Sequence, residues 1–172
     1  MKTKFNILLI ALFLVSAISL NAQNKSKFAH VDSQVLLAAM PERTAAQAKL
    51  QEEAKALESE LVTMQEEFQA KYNDYLAKRE TMTDLGKQSK EGELQDMQTR
   101  IQNFQVTAQE MLEKKEAELL QPIIDKAKKA IEEVGKEKGV IYVLDTSVGV
   151  VLYFSEESED ILPLVKKKLG IQ

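Results

Sequence analysis

The sequence predicts an α+β fold that is mostly α, in which a long antiparallel helical hairpin, the arm, projects from a small β body. Apolar residues recur every three or four positions from Leu50 to Met82 and again from Leu94 to Met111, as in paired helices. The stretch between them, 81–92, contains two glycines and several turn formers. Two apolar runs near the C-terminus are typical of buried strands.

The N-terminus has the pattern of an export signal. Two lysines precede an uncharged stretch from Phe5 to Asn24, whose apolar part runs from Ile7 to Leu20. We predict a signal peptide at residues 1–22, cleaved after Ala22. The alternative is a retained membrane anchor, because the whole uncharged stretch approaches the roughly 20 residues that span a bilayer.

The body is predicted to form from two separated segments, 23–41 and 120–172. In the first segment, alternation from Phe28 to Asp32 indicates a short strand, and Val35 to Met40 indicates one or two helical turns. Pro41 closes those turns and suits the first turn of the next helix.

The arm is predicted to span 42–119, with its tip near 83–92. Its first helix carries seam residues at seven-residue intervals, namely Ala54, Leu61, Phe68, Tyr75 and Met82, with Leu50, Leu57 and Met64 as the second series. The second helix repeats the pattern with Leu94, Met97, Ile101, Phe104, Ala108 and Met111. Reversal of the chain at about Gly86 predicts four cross-arm pairs: Phe68 with Phe104, Leu61 with Met111, Tyr75 with Met97, and Met64 with Ala108.

The C-terminal segment is predicted to complete the body. Its two apolar runs, Val140 to Leu144 and Val148 to Phe154, indicate a β-hairpin that is buried on both faces. A last short helix follows, capped by Ser155 or Ser158 and ended by Gly170.

Composition argues against several classes of function. The chain has no cysteine, so it has neither disulfides nor thiolate metal sites. Its formal net charge is −4, and loss of the two lysines of the signal leaves about −6, which disfavours nucleic-acid binding. The one histidine, His30, shares a strand face with Asp32, but no third catalytic group is visible. We expect no enzyme activity, no cofactor and no metal; His30 as a catalytic group is the alternative.

Methionine and aromatic side chains cluster in the half of the arm that is nearer its tip. Packing within the hairpin is one use for them, and contact with varied apolar partners is the other. Tyr72 and Leu76 lie off the strict seam and are the better candidates for contact. The full set of candidate binding residues is Met64, Phe68, Tyr72, Tyr75, Leu76, Met82, Met97 and Phe104.

The two ends of the chain resemble the Skp/OmpH family of periplasmic chaperones. The matching features from Leu119 to Ile171 are Pro122-Ile123, Ala130-Ile131-x-x-Val134, Gly139 before Tyr142-Val143-Leu144-Asp145, Val150-Val151-Leu152-Tyr153, and Leu169-Gly170-Ile171. At the N-terminus, Phe28-Ala29-His30-Val31-Asp32, Val35-Leu36 and Pro41 resemble the family's first strand and short helix.

The resemblance implies a periplasmic homotrimer whose strands form a central body, with three arms around a cavity that holds unfolded outer-membrane proteins without ATP. Apolar residues of the body would then be covered in the trimer: Val31, Val143, Leu144, Val150, Leu152 and Tyr153. The chain departs from the family in being acidic. Contact with anionic lipid or lipopolysaccharide, which the family's basic members make, is therefore not expected here.

Two functions remain open at this stage. The first is an ATP-independent holdase, whose arms shield apolar segments of unfolded outer-membrane proteins. The alternative is a coiled-coil structural or scaffolding protein of the cell envelope that binds one defined partner. The range of clients distinguishes them, because a scaffold would not suppress the aggregation of several unrelated unfolded proteins.

Overall fold

A computed structural model describes residues 27–171. The predicted signal peptide and its cleavage site after Ala22 lie outside the described residues. The elements, in chain order, are β1 (Phe28–Val31), α1 (Ser33–Ala39), α2 (Pro41–Lys78), a 3-10 turn (Arg79–Thr81), α3 (Asp84–Lys138), β2 (Tyr142–Asp145), β3 (Glu159–Asp160) and α4 (Leu162–Leu169). The predicted α+β, mostly α fold class is confirmed.

The first two helices begin where local chemistry favours a helix start. The Asp32 side chain accepts a hydrogen bond from the Val35 backbone N–H at 2.9 Å and so caps α1. Pro41 occupies the first turn of α2, where its missing N–H would have had no helical partner. The predicted short helix and its boundary at Pro41 are confirmed.

Helices α2 and α3 form the arm, and the chain reverses within a short turn. The 3-10 turn at Arg79–Thr81 ends α2, and the Thr83 hydroxyl accepts a hydrogen bond from the Gly86 N–H at 3.2 Å to cap α3. Gly86 and Gly92 therefore lie within α3. The predicted tip at 83–92 is too long, because glycine costs a helix only about 1 kcal/mol and the neighbouring seam residues outweigh that cost.

The shorter turn also shifts the pairing of the two helices. Lys71 forms an ion pair with Glu93, and Lys115 lies 4.0 Å from Glu53. Between these contacts, Phe68 lies near the level of residue 98, which is about six residues, or about 9 Å, nearer the tip than Phe104. The predicted pairing of Phe68 with Phe104 is wrong, and so are the three other pairs that share its offset.

The sheet of the body is parallel and uses the arm as its crossover. Its order is β2-β1-β3, with Ala29 opposite Val143 on one side and opposite Glu159 on the other. The chain leaves β1, passes along α2 and α3, and returns to place β2 beside β1 in the same direction. The predicted β-hairpin is wrong within one chain, because residues 148–154 form no strand and β2, at the edge of the sheet, pairs only with β1.

The core of the body lies where the sheet, α1, α4 and the last third of α3 meet. The largest fully buried side chains are Leu36, Met40, Ile161, Val31 and Val165. Small residues let α3 approach the sheet closely: Ala127 and Ala130 are buried, and a Cβ added to Gly135 would lie 3.2 Å from Val143 Cγ2. The base of the arm is thus part of the hydrophobic core.

The last helix begins later than predicted. Ile161 occupies the N-cap position of α4, and the Asp160 carboxylate accepts a hydrogen bond from the Leu162 N–H at 2.9 Å, so neither Ser155 nor Ser158 caps it. Gly170, at φ 72°, ends α4 as predicted, because this left-handed conformation favours glycine. Within residues 27–171, no helix is both long and apolar enough to span a membrane.

Candidate functional site: the arm flanks and the open body surface

One side of the body exposes a large apolar surface, which we call the open body surface. Leu152 is 96% exposed, Val150 79% and Tyr153 81%. The whole surface consists of Phe28, Ile141, Tyr142, Leu144, Val148, Val150, Leu152, Tyr153 and Phe154. A cavity of about 890 Å³ opens beside it, lined by Phe28, Leu144, Tyr153 and Phe154 together with polar neighbours. Apolar patches of this extent usually mark contact surfaces.

The structure divides the residues predicted for the trimer body into two groups. Val31 is buried in the core of its own chain, so a partner subunit has no access to it. Val143 is half-buried against the core. Leu144, Val150, Leu152 and Tyr153 belong to the open body surface and are the members of the set that a second chain could reach.

A polar clasp fixes the chain at the start of the open segment 146–154. The Asp145 carboxylate accepts hydrogen bonds from the backbone N–H and the hydroxyl of both Ser33 and Ser147, at 2.6–3.2 Å. Burial raises the pKa of Asp145, but these hydrogen bonds outweigh it and hold the pKa below its usual value. The clasp ties the end of β2 to the start of α1.

His30 has a structural environment. Its Nδ1 is hydrogen-bonded to Ser158 Oγ at 2.9 Å, and its ring stacks on Phe154 with centroids 4.0 Å apart. Asp32 is engaged in capping α1. No group of three or more histidine, cysteine, aspartate or glutamate side chains that could hold a metal occurs among residues 27–171. These contacts favour a packing role for His30.

The structure separates the candidate binding residues of the arm by exposure. Tyr75 is only 6% exposed, and its hydroxyl donates a hydrogen bond to Glu91, so it is part of the hairpin interior. Five others are half-buried along the seam: Met64, Phe68, Met82, Met97 and Phe104. Tyr72 and Leu76 are exposed, at 40% and 49%, and Tyr72 stacks on Phe68 with centroids 6.1 Å apart. Of the eight candidates, the two residues off the strict seam are the most exposed to solvent.

One flank of the arm is charged. Glu93 of α3 pairs with Lys71 of α2 and with Lys90, whose Nζ lies 2.7 Å from its carboxylate. Hydrogen bonds from Lys71, then from Lys90, lower the pKa of Glu93 from 4.5 to about 2. Asp96 and Arg100 of α3 line the groove on this same flank, beside Lys71.

The opposite flank carries no charge over the middle of the arm and ends toward the tip at Glu91, which accepts a hydrogen bond from the Tyr75 hydroxyl. Successive helical residues are about 100° apart, so Lys71 and Tyr72 lie on opposite sides of the seam residue Phe68. In α3, Arg100 lies on one side of the seam residue Ile101, and Gln98 and Gln105 lie on its other side. The helices are antiparallel, and Lys71 pairs with Glu93 on one side of the arm. Residues of both helices that are rotated from the seam in the opposite direction therefore lie together on the second side.

We call this second side the amide flank. Its exposed residues are Gln65, Gln69, Tyr72 and Leu76 of α2 and Gln98 and Gln105 of α3. The apolar and charged patterns of the sequence do not single out the glutamines. Their signal is nonetheless visible: from residue 97 to residue 109, Arg100 is the single charged residue of α3, and glutamines recur there at three- and four-residue spacing.

Comparison with known proteins identifies relatives of the whole described fold. The sequence profile of a family described as Outer membrane protein (OmpH-like) matches residues 27–169. A crystal structure of a protein from Caulobacter crescentus CB15, described as an outer membrane chaperone (OmpH-like), matches with a TM-score of 0.72 and 18% identity, covering 83% of this chain and 82% of that chain. That likeness shows a shared fold. No match was found among the curated proteins.

Proposed function

This chain belongs to the OmpH-like family of outer membrane proteins, and on that premise we propose that it is an ATP-independent holdase chaperone of the periplasm. In this role it binds unfolded outer-membrane proteins and prevents their aggregation during transit. The signal peptide at residues 1–22 directs export, with cleavage after Ala22. Function consists of binding, with no catalytic step and no cofactor.

The observation that carries the proposal is the exposure of Tyr72 and Leu76 on the arm. Coiled-coil positions beside the seam are usually polar, yet these two apolar side chains are 40% and 49% exposed. Burial of one large apolar side chain is worth roughly 1.5–3 kcal/mol. Two such contacts on each of several arms support weak, multivalent capture of an unfolded chain, which is how a holdase works without an energy source.

The open body surface supports assembly into a homotrimer. In this proposal, segments 23–41 and 120–172 form the trimerisation body, and 42–119 forms the arm. Residues 148–154 pair with strands of neighbouring subunits, and Leu144, Val150, Leu152 and Tyr153 become buried there. Three arms would then surround one client, with their charged flanks keeping the complex soluble. The acidic balance of the chain speaks against nucleic acid and anionic lipid as partners.

Client range separates a holdase from a scaffold that binds one defined partner. The purified mature protein is mixed with two unrelated β-barrel outer-membrane proteins diluted from urea, and light scattering is followed without nucleotide. A holdase lowers the scattering of both clients, whereas a scaffold lowers at most one. Failure to suppress the aggregation of either client would contradict the proposal.

The double variant Tyr72→Ser with Leu76→Ser tests the residues that carry the proposal. Loss of the two apolar contacts should weaken client capture about tenfold or more, with helicity and assembled mass unchanged. The matched control is Val106→Ser with Met111→Ser, which removes two exposed apolar side chains elsewhere on α3. Unchanged capture combined with loss of assembly would instead assign Tyr72 and Leu76 to the core.

A further inference from the structure

The amide flank is unusual on a chain in which 29% of the residues are charged. Between residues 62 and 76 of α2, all four charged residues (Glu66, Glu67, Lys71 and Asp74) lie toward the charged flank or the outer face. Residues 62–76 of α2 span about 20 Å along the amide flank, which is the length of about six residues of an extended chain.

The two helices supply this flank at the same height along the arm. The contacts of Lys71 with Glu93 and of Lys115 with Glu53 set Gln69 of α2 near the level of Gln98 of α3. Tyr72 lies one helical turn nearer the tip. Gln65 stands nearer the base, between the levels of Gln98 and Gln105. Carboxamides from both helices therefore border one continuous strip, with Tyr72 and Leu76 as its apolar members.

We propose that the amide flank is a binding strip for uncharged, extended polypeptide segments in which apolar and polar residues alternate. The inference rests on the proposed holdase function and defines the class of client segment that the arm selects. Membrane-spanning β-strands have this pattern, since lipid-facing and lumen-facing residues alternate along them.

The chemistry of the strip matches such a segment in two ways. A glutamine side chain offers both a hydrogen-bond acceptor and donors, so it can pair with the backbone C=O and N–H groups of an extended chain whatever its sequence. Tyr72 and Leu76 accept the apolar side chains that point to one face of that chain. A charged client side chain would lose hydration there without gaining an ionic partner, which disfavours its binding.

Three fluorescein-labelled peptides of about ten residues, the length of a membrane β-strand, test the selectivity. The first alternates apolar with uncharged polar residues; the second and third replace two of the polar residues by glutamate and by lysine. We expect the wild-type protein to bind the first peptide about tenfold more tightly than either charged peptide in fluorescence anisotropy.

The variant Gln98→Glu with Gln105→Glu places charge on the flank with little change in shape. It should bind the uncharged peptide about tenfold more weakly than the wild type and should bind the lysine peptide more tightly. The matched control, Gln88→Glu with Asn103→Asp, adds the same charge to exposed positions of α3 outside the flank. We expect it to remain within about twofold of the wild type for all three peptides.

The outcomes separate this inference from the proposed function. A wild-type protein that suppresses client aggregation but binds all three peptides alike overturns the selectivity and leaves the holdase function standing. Equal losses in both charge variants also overturn it. Selective binding of the uncharged peptide without any suppression of aggregation supports the strip and contradicts the holdase function.

A second measurement avoids added charge on the flank. A photoreactive phenylalanine analogue is placed either at position 69, on the amide flank, or at position 67, on the charged side of α2. Illumination with an unfolded outer-membrane protein should yield crosslinks at least about fivefold more efficiently from position 69. Equal yields from the two positions would overturn the assignment of the flank.

Discussion

The arm and the body differ in how much of their apolar surface a single chain covers. Along the arm, α3 covers the seam of α2, and Tyr75 and Leu94 are buried although the hairpin is only two helices thick. In the body, one side of the sheet is packed by α1, α3 and α4, while Leu152 and Tyr153 lie in solvent. One chain therefore covers the seam of the arm but leaves the open body surface uncovered.

This difference separates two tasks. In the proposed function, assembly depends on the open body surface, which is apolar and is fixed at one end by the clasp of Asp145 with Ser33 and Ser147. Client binding in that proposal depends on the arm, whose apolar residues outside the seam are few and are flanked by amides. Substitutions should therefore affect one task without the other, and a substitution that affects both would contradict the division.

The largest effect should follow a charge placed on the open body surface. Leu152 is 96% exposed in the single chain, so Leu152→Asp should leave the fold of each chain intact. In the proposed trimer the aspartate would be buried without a partner, at a cost of about 3–5 kcal/mol per subunit. We expect loss of the assembly, measured as a fall in mass by light scattering after size-exclusion chromatography.

Val106→Asp is the control for that experiment, because Val106 is also exposed but lies on the arm. Its assembled mass should equal that of the wild type. If the wild-type mature protein itself is a folded monomer, both the trimer and the enclosed client are wrong. If both variants dissociate, the arm takes part in assembly and the two tasks are not separate.

The register of the arm gives a large but local effect. Cysteines in place of Lys71 and Glu93 should be joined within one chain by a short bismaleimide, because these side chains meet across the helices. Cysteines in place of Phe68 and Phe104 should be joined poorly, since they are offset by about 9 Å along the arm. The chain has no other cysteine, so each product has one origin.

Mass spectrometry of the linked peptides measures both yields in the same assembled state. More efficient linkage of positions 68 and 104 would return the turn to Gly86 and would move each α2 residue by about six residues relative to α3. Different side chains of the two helices would then share each level of the amide flank. The crosslinks thus test the geometry on which the binding strip depends.

The sequence was sufficient for the seam but insufficient for the tip. Seven-residue spacing of residues such as Leu61, Phe68 and Tyr75 has one physical explanation, a helix with a partner along that face. A glycine has several possible explanations, of which a turn is only one. The helix tolerates both Gly86 and Gly92, because the cap at Thr83 and the buried Leu94 favour helix on either side of them. When the length of the turn between α2 and α3 is uncertain, the pairing of the two helices is uncertain by one or more helical turns.

The body was harder to predict because its pairing is not local. The run from Val148 to Phe154 has the composition of a strand but forms none, and the edge of β2 beside which a hairpin would place it stays unpaired. Parallel pairing of β1 with β2 also requires two segments that are more than a hundred residues apart in sequence. The amide flank escaped prediction for a different reason, since its signal is the absence of charge at helical spacing.

The smallest expected effect concerns the ion pairs that hold the two helices together near the tip. The folded-state pKa of Glu93 is lowered from 4.5 to about 2, chiefly by hydrogen bonds from Lys71 and Lys90. A carboxyl group whose pKa falls on folding stabilises the fold above its unfolded pKa and loses that contribution as the pH falls through its folded pKa. The relevant window is therefore from pH 4.5 down to about 2. Because these groups are well exposed, the effect should be modest and confined to the tip.

Hydrogen exchange measures this effect, with rates corrected for the intrinsic exchange at each pH. Protection of amides near the tip should fall between pH 4.5 and about pH 2 in the wild type, relative to amides at the base of the arm. Glu93→Gln should already show the weaker protection at the higher pH and should change little on acidification. Glu66→Gln, which removes another exposed carboxylate of α2, should behave as the wild type does. An acid response that persists in Glu93→Gln would assign the loss of tip protection to other carboxylates. The apolar seam, and not the pairing of Glu93 with Lys71 and Lys90, would then be what holds the two helices of the arm together near the tip.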